Sequence, residues 1–287
     1  MKTKTNKTWK IIGRLLLYLI LAALAVFALY PIVYAFIGSF KTNSEFVHGG
    51  TNLLPRNGWQ FVNYTNAWKI ADFSAYLWNS IFVTAVSTFF VLLFTTMCGY
   101  ALARDQFPGK KIIEGCILAT LFISAGAITI YPTMAIIRDL GLLNSRWGMI
   151  TVYAFAINAS GIYLYQGYVR GLSREMDEAA IIDGCGFFAV YTRIILPLSI
   201  PILATLGLLS FKACWNDYLL PMVMTLSTPK LRTLTVGVVA LKNTGNAAAA
   251  WDLMLAGTSI SLLPVLLLYL FCNQYFITGI TAGSVKG

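Results

Sequence analysis

The residues with the most distinctive types and spacing lie between Glu178 and Pro197. Glu178 begins an acidic-Ala-Ala triplet, Asp183-Gly184 follows, and Ile194-x-Leu196-Pro197 comes after nine further residues. The segment contains no nucleophile–base pair and no cluster of metal-ligating residues. Its acidic, small and turn-forming residues instead favour a short helix that ends in a turn.

Ser173–Asp183 is predicted to form a short helix. Ser173 is a credible N-cap, because a serine hydroxyl accepts a hydrogen bond from a free N–H of the first turn. Ala179 and Ala180 are small, so another backbone can approach this helix closely. The acidic residues of the first turns complement the positive end of the helix dipole, and they are Glu175, Asp177 and Glu178.

The end of this helix is predicted at Gly184 and Gly186, since glycine adopts positive φ without steric cost. A second amphipathic segment, Phe187–Leu196, follows, and Pro197 marks the start of the next apolar stretch. The whole segment is thus expected to be a helix-turn-helix. An ordinary amphipathic connector between two apolar segments is the alternative.

The composition places these elements in a membrane protein. Hydrophobic residues make up 58% of the 287 residues and charged residues 11%, whereas soluble proteins carry about 25% charged residues. The net charge of +10 does not indicate nucleic-acid binding here, because the basic residues flank apolar stretches and fit anionic lipid. The five cysteines form no C-x-x-C pair, so we expect neither a disulfide nor a metal site.

The predicted fold is all-α, because six stretches approach the roughly 20 apolar residues needed to cross a bilayer as a helix. Pro31, Pro132 and Pro264 predict kinks in three of them, since proline removes a backbone donor. The six predicted spans are Ile12–Phe40, Phe73–Ala103, Ile112–Ile137, Gly148–Val169, Ser199–Met224 and Leu253–Phe276.

Loop charges predict the orientation of these spans. Lysine and arginine are enriched before the first predicted span, in the connection between the second and third spans, and around residues 170–193. This distribution places both termini and the Glu178–Pro197 segment in the cytoplasm. We divide the chain into a head with the first span and first external loop (1–72), a transmembrane region (73–276) and a cytoplasmic tail (277–287). The first external loop is rich in turn-forming residues and too short for a separate folded domain.

The Glu178–Pro197 segment resembles the cytoplasmic signature of the permease subunits of binding-protein-dependent ABC importers, E-A-A, three residues, G, nine residues, I-x-L-P. Every fixed position of the family pattern is matched. The resemblance implies the type I importer fold and a coupling helix that docks on a separate ATPase subunit. It assigns the ATPase coupling to Glu178, Ala179, Ala180, Asp183, Gly184, Leu196 and Pro197.

The sequence contains no ATP-binding loop of the form G-x-x-x-x-G-K-S/T, since Gly109-Lys110-Lys111 lacks the loop and the hydroxyl. We therefore expect no cofactor and no enzyme activity in this chain, with ATP and magnesium bound by partner subunits. The resemblance implies a second homologous permease, two ATPase subunits and an extracytoplasmic sugar-binding protein as partners. It also implies a multi-pass location in a bacterial or archaeal cytoplasmic membrane.

Further segments resemble the carbohydrate importers, and in particular the shorter, six-span partner of the maltose-type permease pair. They are Asn79-Ser80 through Tyr100-Ala-Leu-Ala-Arg104, Trp215 to Pro221, Leu231 to Gly237, and the tail from Tyr275. Thr235 departs from the pattern, which has proline there. The tail of the family reaches toward the ATPase, so the resemblance implies a second contact through Gly283, Ser284, Val285 and Lys286.

Polar and aromatic residues in the fifth span form a predicted substrate path. Such residues at membrane depth could stack on a pyranose and bond its hydroxyls. An ionisable group at the bilayer centre costs about 2.5–3.5 kcal/mol unless it faces a cavity or a partner. Packing between helices is the alternative role. The residues are Lys212, Trp215, Asn216, Asp217 and Tyr218.

The sequence therefore predicts a permease that imports a sugar or oligosaccharide by alternating access. One alternative is an ABC importer permease for another solute, such as an amino acid or phosphate. An ion-driven secondary transporter is a second alternative, although it would have no use for the Glu178–Pro197 signature and would usually be longer or show an inverted repeat with broken helices. A membrane scaffold without transport is a third, and no feature of the sequence favours it.

Overall fold

The computed structural model describes residues 2–48, 52–70, 72–123, 126–242 and 249–284, with side chains for 11–48, 52–70, 72–123, 126–242 and 249–271. Secondary structure in these ranges is entirely helical. The helices are α1 (Lys2–Gly38), α2 (Asn43–His48), α3 (Val62–Ile70), α4 (Phe73–Arg104), α5 (Lys110–Phe122), α6 (Ile130–Asp139), α7 (Arg146–Phe155), α8 (Ala159–Gly171), α9 (Glu175–Ile182), α10 (Phe187–Val190), α11 (Leu196–Leu198), α12 (Ile200–Asn216), α13 (Leu219–Met224), α14 (Leu234–Leu241) and α15 (Trp251–Ser284).

Between three and five membrane spans can be built from the described helices. Ile11–Gly38, Phe73–Arg104 and Trp251–Phe271 are each long and apolar enough alone. The pairs α7 with α8 and Phe187–Leu198 with α12 qualify only as bent spans, with angles of 52° and 82°. The prediction of an all-α protein with several membrane-spanning helices is confirmed at this level.

The predicted third span, Ile112–Ile137, is divided in the structure. Helix α5 ends at Phe122, the backbone of Ile123 is extended, and a 3-10 turn from Gly126 to Thr129 precedes α6. Gly126 has a φ of +53°, and Pro132 lies in the first turn of α6. The two helices have 13 and 10 residues, and each is shorter than the roughly 20 residues of a membrane-spanning helix. Pro31 and Pro264 lie inside continuous helices.

The chain forms two compact units, and the first comprises Met1–Ala71 with Val238–Ser261. Within it, the predicted turn-rich loop contains two short helices and is pinned by Asn63, whose amide donates to the carbonyls of Ser39 and Lys41 at 2.8 Å each. The buried Lys41 ammonium donates to the Asn52 carbonyl and lies 5.3 Å from the ring centroid of Tyr34. The loop that follows the first span is therefore a folded element.

The second unit, Asp72–Gly237 with Leu262–Gly287, is organised around α4, which packs against α7, α8 and α12. Its buried face carries small and hydroxyl residues, which allow membrane helices to approach closely. A Cβ at Gly99 would lie 3.0 Å from the carbonyl oxygen of Ile162, so α4 and α8 touch backbone to backbone there. Other members of this face are Ser80, Thr84, Ser87, Thr95 and Thr96.

The first turns of α4 hold the segment that leads into α14. The side-chain amide of the buried Asn79 donates to the carbonyls of Lys230 and Arg232, at 2.8 and 3.0 Å, and its oxygen accepts from Arg146 Nε at 2.8 Å. The hydroxyl of Ser80 accepts from the Leu234 N–H at 2.7 Å. The Asn79-Ser80 pair, noted in the sequence by resemblance, is thus a structural clamp.

Candidate functional site

The segment 173–197, called here the signature loop, begins with helix α9 (Glu175–Ile182). It begins two residues later than the predicted helix at Ser173–Asp183, and Arg174 rather than Ser173 occupies the N-cap position. The Ser173 hydroxyl, one residue earlier, accepts from the Glu175 N–H at 3.2 Å. Three acidic residues lie in its first turn, as expected from the helix dipole.

The end of α9 is a Schellman turn centred on Gly184, which has a φ of +84°. The Gly184 N–H donates to the Ile181 carbonyl at 3.0 Å, and the Cys185 N–H donates to the Ala180 carbonyl at 2.9 Å. These two bonds satisfy carbonyls that the end of a helix leaves free. Gly186 has a φ of −77°, so the predicted positive φ is found at Gly184 and is wrong for Gly186.

The second half of the signature loop is a helix with a widened centre. A π-helical turn, Tyr191–Ile195, separates α10 from α11. The π-helical turn ends at Ile195, and only Leu196 separates it from Pro197. Proline has no N–H to continue the regular i→i−4 pattern. The axis bends by 82° at Ser199 before α12 begins, so the second half runs across the following span.

The two alanines of the signature have different environments. Ala180 is 6% exposed and packs with Tyr100, Val169 and Ile195 of its own chain. Ala179 is exposed. The small size of Ala180 therefore serves packing within this chain, and its role in ATPase coupling stays a prediction. Of the remaining signature residues, Leu196 packs against the same cluster, while Glu178, Asp183, Gly184 and Pro197 are exposed.

The outer surface of the signature loop is apolar around its turn. Ile182 is 85% exposed, and three more large apolar side chains near it are also exposed. Exposed apolar patches rimmed by polar residues mark interaction sites, and the acidic residues of α9 supply such a rim. We call these residues the apolar patch, and they are Ile181, Ile182, Phe187 and Phe188.

A buried ion pair attaches α9 to the last residue of α4. Arg104 Nε lies 2.6 Å from Asp177 Oδ2, and the two side chains are 6% and 13% exposed. Arg104 also donates to the Leu172 carbonyl at 3.1 Å. Burial raises the pKa of the Asp177 carboxyl, and the charges of Arg104 and Arg174 oppose that rise. The sequence singled out Asp177 only as a dipole partner and did not predict this pair.

Trp215, which belongs to the predicted substrate path, is a packing residue in this structure. Its side chain is 3% exposed and its ring stacks on Phe211 at a centroid distance of 5.4 Å. Its carbonyl accepts a hydrogen bond from the Thr235 hydroxyl at 2.8 Å. Thr235 therefore replaces the proline of the family pattern with a donor that satisfies a carbonyl at the end of α12.

Asp217 lies where the predicted fifth span breaks between α12 and α13. Its Oδ2 accepts from the Tyr153 hydroxyl at 2.8 Å, and its Oδ1 accepts from the Leu219 N–H at 3.0 Å. Sequence reasoning missed Tyr153. Lys212 and Asn216 are exposed one turn apart on α12, and Tyr218 is half-buried at the break.

Cavities adjoin these breaks in the predicted spans. One of about 260 Å³ is lined by Asp217, Leu219 and residues of the divided third span, including Thr129 and Thr133. A larger one of about 490 Å³ lies beside the bend between α7 and α8. Its polar lining residues are Tyr153, Asn158, Ser160 and Ser210.

The tail prediction falls largely outside the described side chains. Gly283 and Ser284 end α15, whereas Val285 and Lys286 lie outside the described residues. Among the described side chains, no group of three or more His, Cys, Asp or Glu residues is arranged to hold a metal ion.

Comparison with known proteins gives consistent matches over most or all of the chain. Residues 95–280 match the family model described as binding-protein-dependent transport system inner membrane component. The probable ABC transporter permease protein YurM of Bacillus subtilis (strain 168) is 32% identical over 100% of this chain and 93% of its own length. The diacetylchitobiose uptake system permease protein NgcG of Streptomyces coelicolor is 30% identical over 91% of this chain and 85% of its own length.

A solved structure has the same architecture. It is a bacterial ABC transporter involved in the import of the acidic polysaccharide alginate, and one of its chains superposes with a TM-score of 0.77 at 26% identity. The superposition covers 96% of this chain and 99% of that chain.

Proposed function

The chain belongs to the family of inner-membrane components of binding-protein-dependent transport systems, and on this basis we propose that it is one permease subunit of an ATP-driven sugar importer. The observation that carries the proposal is the signature loop, in which every fixed position of the family pattern is matched and an apolar patch is exposed. The relatives are permease proteins, which supports transport rather than enzymatic activity for this chain.

The apolar patch and the exposed Glu178 are the surface through which the signature loop docks on an ATPase subunit. Two ATPase subunits bind ATP and magnesium, and a second homologous permease completes the membrane part. Closure of the ATPase pair moves the loop, and the cavity between the permeases opens to the outside. Sugar then enters from an extracytoplasmic binding protein, and hydrolysis resets the inward-facing state.

In the proposed topology, the chain crosses the membrane six times, and both termini lie in the cytoplasm of a bacterial or archaeal cell. The divided segment Lys110–Asp139 then supplies one span as a broken helix. Broken helices are tolerated in membranes where they line a cavity or are buried in protein, and the cavity beside Asp217 supports this arrangement.

We expect a membrane-impermeant thiol reagent, applied to intact cells, to miss Cys185. In a background with the other cysteines replaced, His48→Cys should be labelled by the same reagent, because His48 is exposed in the first external loop. The readout is mass-tagged protein on a gel, with permeabilised cells as the positive control for Cys185. Labelling of Cys185 but not of His48→Cys in intact cells would reverse the orientation and remove the docking role.

Sugar is the favoured solute because of the polar residues at the helix breaks. Asp217, Tyr153 and two threonines bring acceptors and hydroxyls to one region of the membrane part, and sugars are bound by such groups together with aromatic faces. The exposed Lys212 adds a positive charge on α12, which suits acidic as well as neutral glycans. The relative NgcG belongs to a diacetylchitobiose uptake system, which also supports a sugar over an amino acid or phosphate.

Asn216→Ala is expected to slow uptake if the exposed face of α12 contacts sugar in transit. Loss of one hydrogen bond of about 0.5–1.5 kcal/mol corresponds to a roughly 2- to 12-fold decrease. Lys212→Met should lower uptake of acidic oligosaccharides more than that of neutral ones. The measurement is uptake competition across a panel of both kinds.

The matched control for these variants is Ile200→Ala, which truncates an exposed apolar side chain at the start of α12 that lines neither cavity. If Asn216→Ala and Lys212→Met leave both rate and preference at the Ile200→Ala level, the exposed face of α12 does not contact substrate. Selectivity would then belong to the partner permease and the binding protein.

A further inference from the structure

One face of α4 contacts both halves of the signature loop. Thr96, Tyr100 and Arg104 are spaced four residues apart, so their side chains lie on one face over the last two turns of this helix. We propose that this face, called here the receiving face, carries the movement of the signature loop into the membrane part, with Arg104 as the positioning residue for α9. The inference rests on the proposed function, because it concerns how the docked loop acts.

Arg104 holds the first half of the loop. It pairs with Asp177 on α9 at 2.6 Å and bonds the Leu172 carbonyl just before that helix. The contact with Asp177 is an ion pair and not an aligned hydrogen bond, because Arg104 Nε and Asp177 Oδ1 have no hydrogen-bond partner among the described residues. The guanidinium therefore holds α9 through its charge, while its Nη2 group donates to the Leu172 carbonyl. Because the pair is almost fully buried, loss of one partner leaves an uncompensated charge.

Tyr100 and Thr96 hold the second half. The ring of Tyr100 lies 4.6 Å from that of Phe187 and 5.2 Å from that of Tyr191, measured between centroids. The Thr96 hydroxyl and the Tyr191 hydroxyl are 2.8 Å apart and fully buried. Tyr191 begins the π-helical turn, a local geometry that is frequent at functional sites.

The position of α4 explains why its movement would matter. It packs against α7, α8 and α12, and packed helices transmit a displacement because their interfaces are not continuously deformable. The bend between α7 and α8 and the break after α12 lie on these same neighbours. A push on the receiving face thus reaches the helices that line the larger cavity, beside the bend between α7 and α8.

The test uses the full complex of two permeases, two ATPase subunits and the loaded binding protein, reconstituted in lipid. Arg104→Lys keeps the charge but not the planar fork, and Arg104→Gln removes the charge. We expect both to assemble and to hydrolyse ATP, while stimulation of hydrolysis by the loaded binding protein falls about 10-fold for Arg104→Gln, within the usual range of coupling between sites. Arg104→Asp combined with Asp177→Arg should restore part of the stimulation.

Arg138→Gln is the matched control, because it removes an arginine from an exposed ion pair with Asp139. Tyr191→Phe provides a second variant that deletes only the hydroxyl bonded to Thr96, and it should lower the stimulation even if Arg104→Gln fails to assemble. Stimulation at the Arg138→Gln level in Tyr191→Phe and in every Arg104 variant that assembles would overturn the inference. A wild-type complex without ATP-driven sugar uptake would instead refute the proposed function itself.

Discussion

Gly184→Val is expected to abolish sugar uptake while the amount of protein in the membrane stays unchanged. Gly184 has a φ of +84°, and a Cβ there would meet no atom within 4 Å. The cost is therefore backbone strain alone, of about 1–3 kcal/mol for a residue forced into this conformation. Relief of that strain would open the Schellman turn and change the angle between the two halves of the signature loop.

Two variants separate this effect from general damage to the loop. Gly184→Asn should retain part of the uptake, because asparagine tolerates positive φ better than valine does. Gly186→Ser should be near wild type, since Gly186 has a φ of −77° at the start of α10, where serine is a good N-cap. Uptake of a labelled oligosaccharide and immunoblots of membranes are the measurements. Wild-type uptake by Gly184→Val would show that the turn geometry is irrelevant to coupling.

Ile182→Glu should prevent the ATPase subunit from co-purifying with the permease. Ile182 is the most exposed member of the apolar patch, so the change costs little in the free chain. In the docked complex, the introduced carboxylate would be buried without a partner. Loss of a residue central to an interface typically weakens the binding free energy by about 2 kcal/mol or more. Association should weaken by roughly 30-fold or more.

Ile182→Leu is the control for this prediction, because it keeps the volume and the apolar character of the side chain. It should co-purify with the ATPase subunit as the wild type does. Equal recovery of the ATPase with Ile182→Glu and Ile182→Leu would exclude the apolar patch from the docking surface.

The sequence predicted the elements whose causes are local. The first-turn acidic residues and the turn glycine predict α9 and its end, and the structure has them in Glu175–Ile182 and at Gly184. Ser173, predicted as the N-cap, lies one residue before the N-cap position and bonds the first N–H of the helix. These features depend on residues within a few positions of one another, where sequence patterns are most informative.

The sequence did not predict features that depend on distant partners. Arg104 and Asp177 pair because α4 ends beside α9, and the hydroxyl of Tyr153 reaches Asp217 because α7 packs against α13, which begins just after Asp217. The hydropathy of Ser199–Met224 predicted one continuous span. Hydropathy does not reveal a break in a helix when the polar groups at the break are satisfied by another helix. The burial of Ala180 was likewise not predicted, because residues outside its own helix, including Tyr100 and Ile195, create it.

The most direct measurement of the central claim is sugar uptake into proteoliposomes that contain this chain, the second permease and the ATPase pair. We expect uptake only with ATP on the ATPase side and loaded binding protein on the other, and we expect vanadate to stop it. Uptake that continues without ATP, resists vanadate and collapses when an ionophore dissipates the ion gradient would contradict the account and identify an ion-driven transporter.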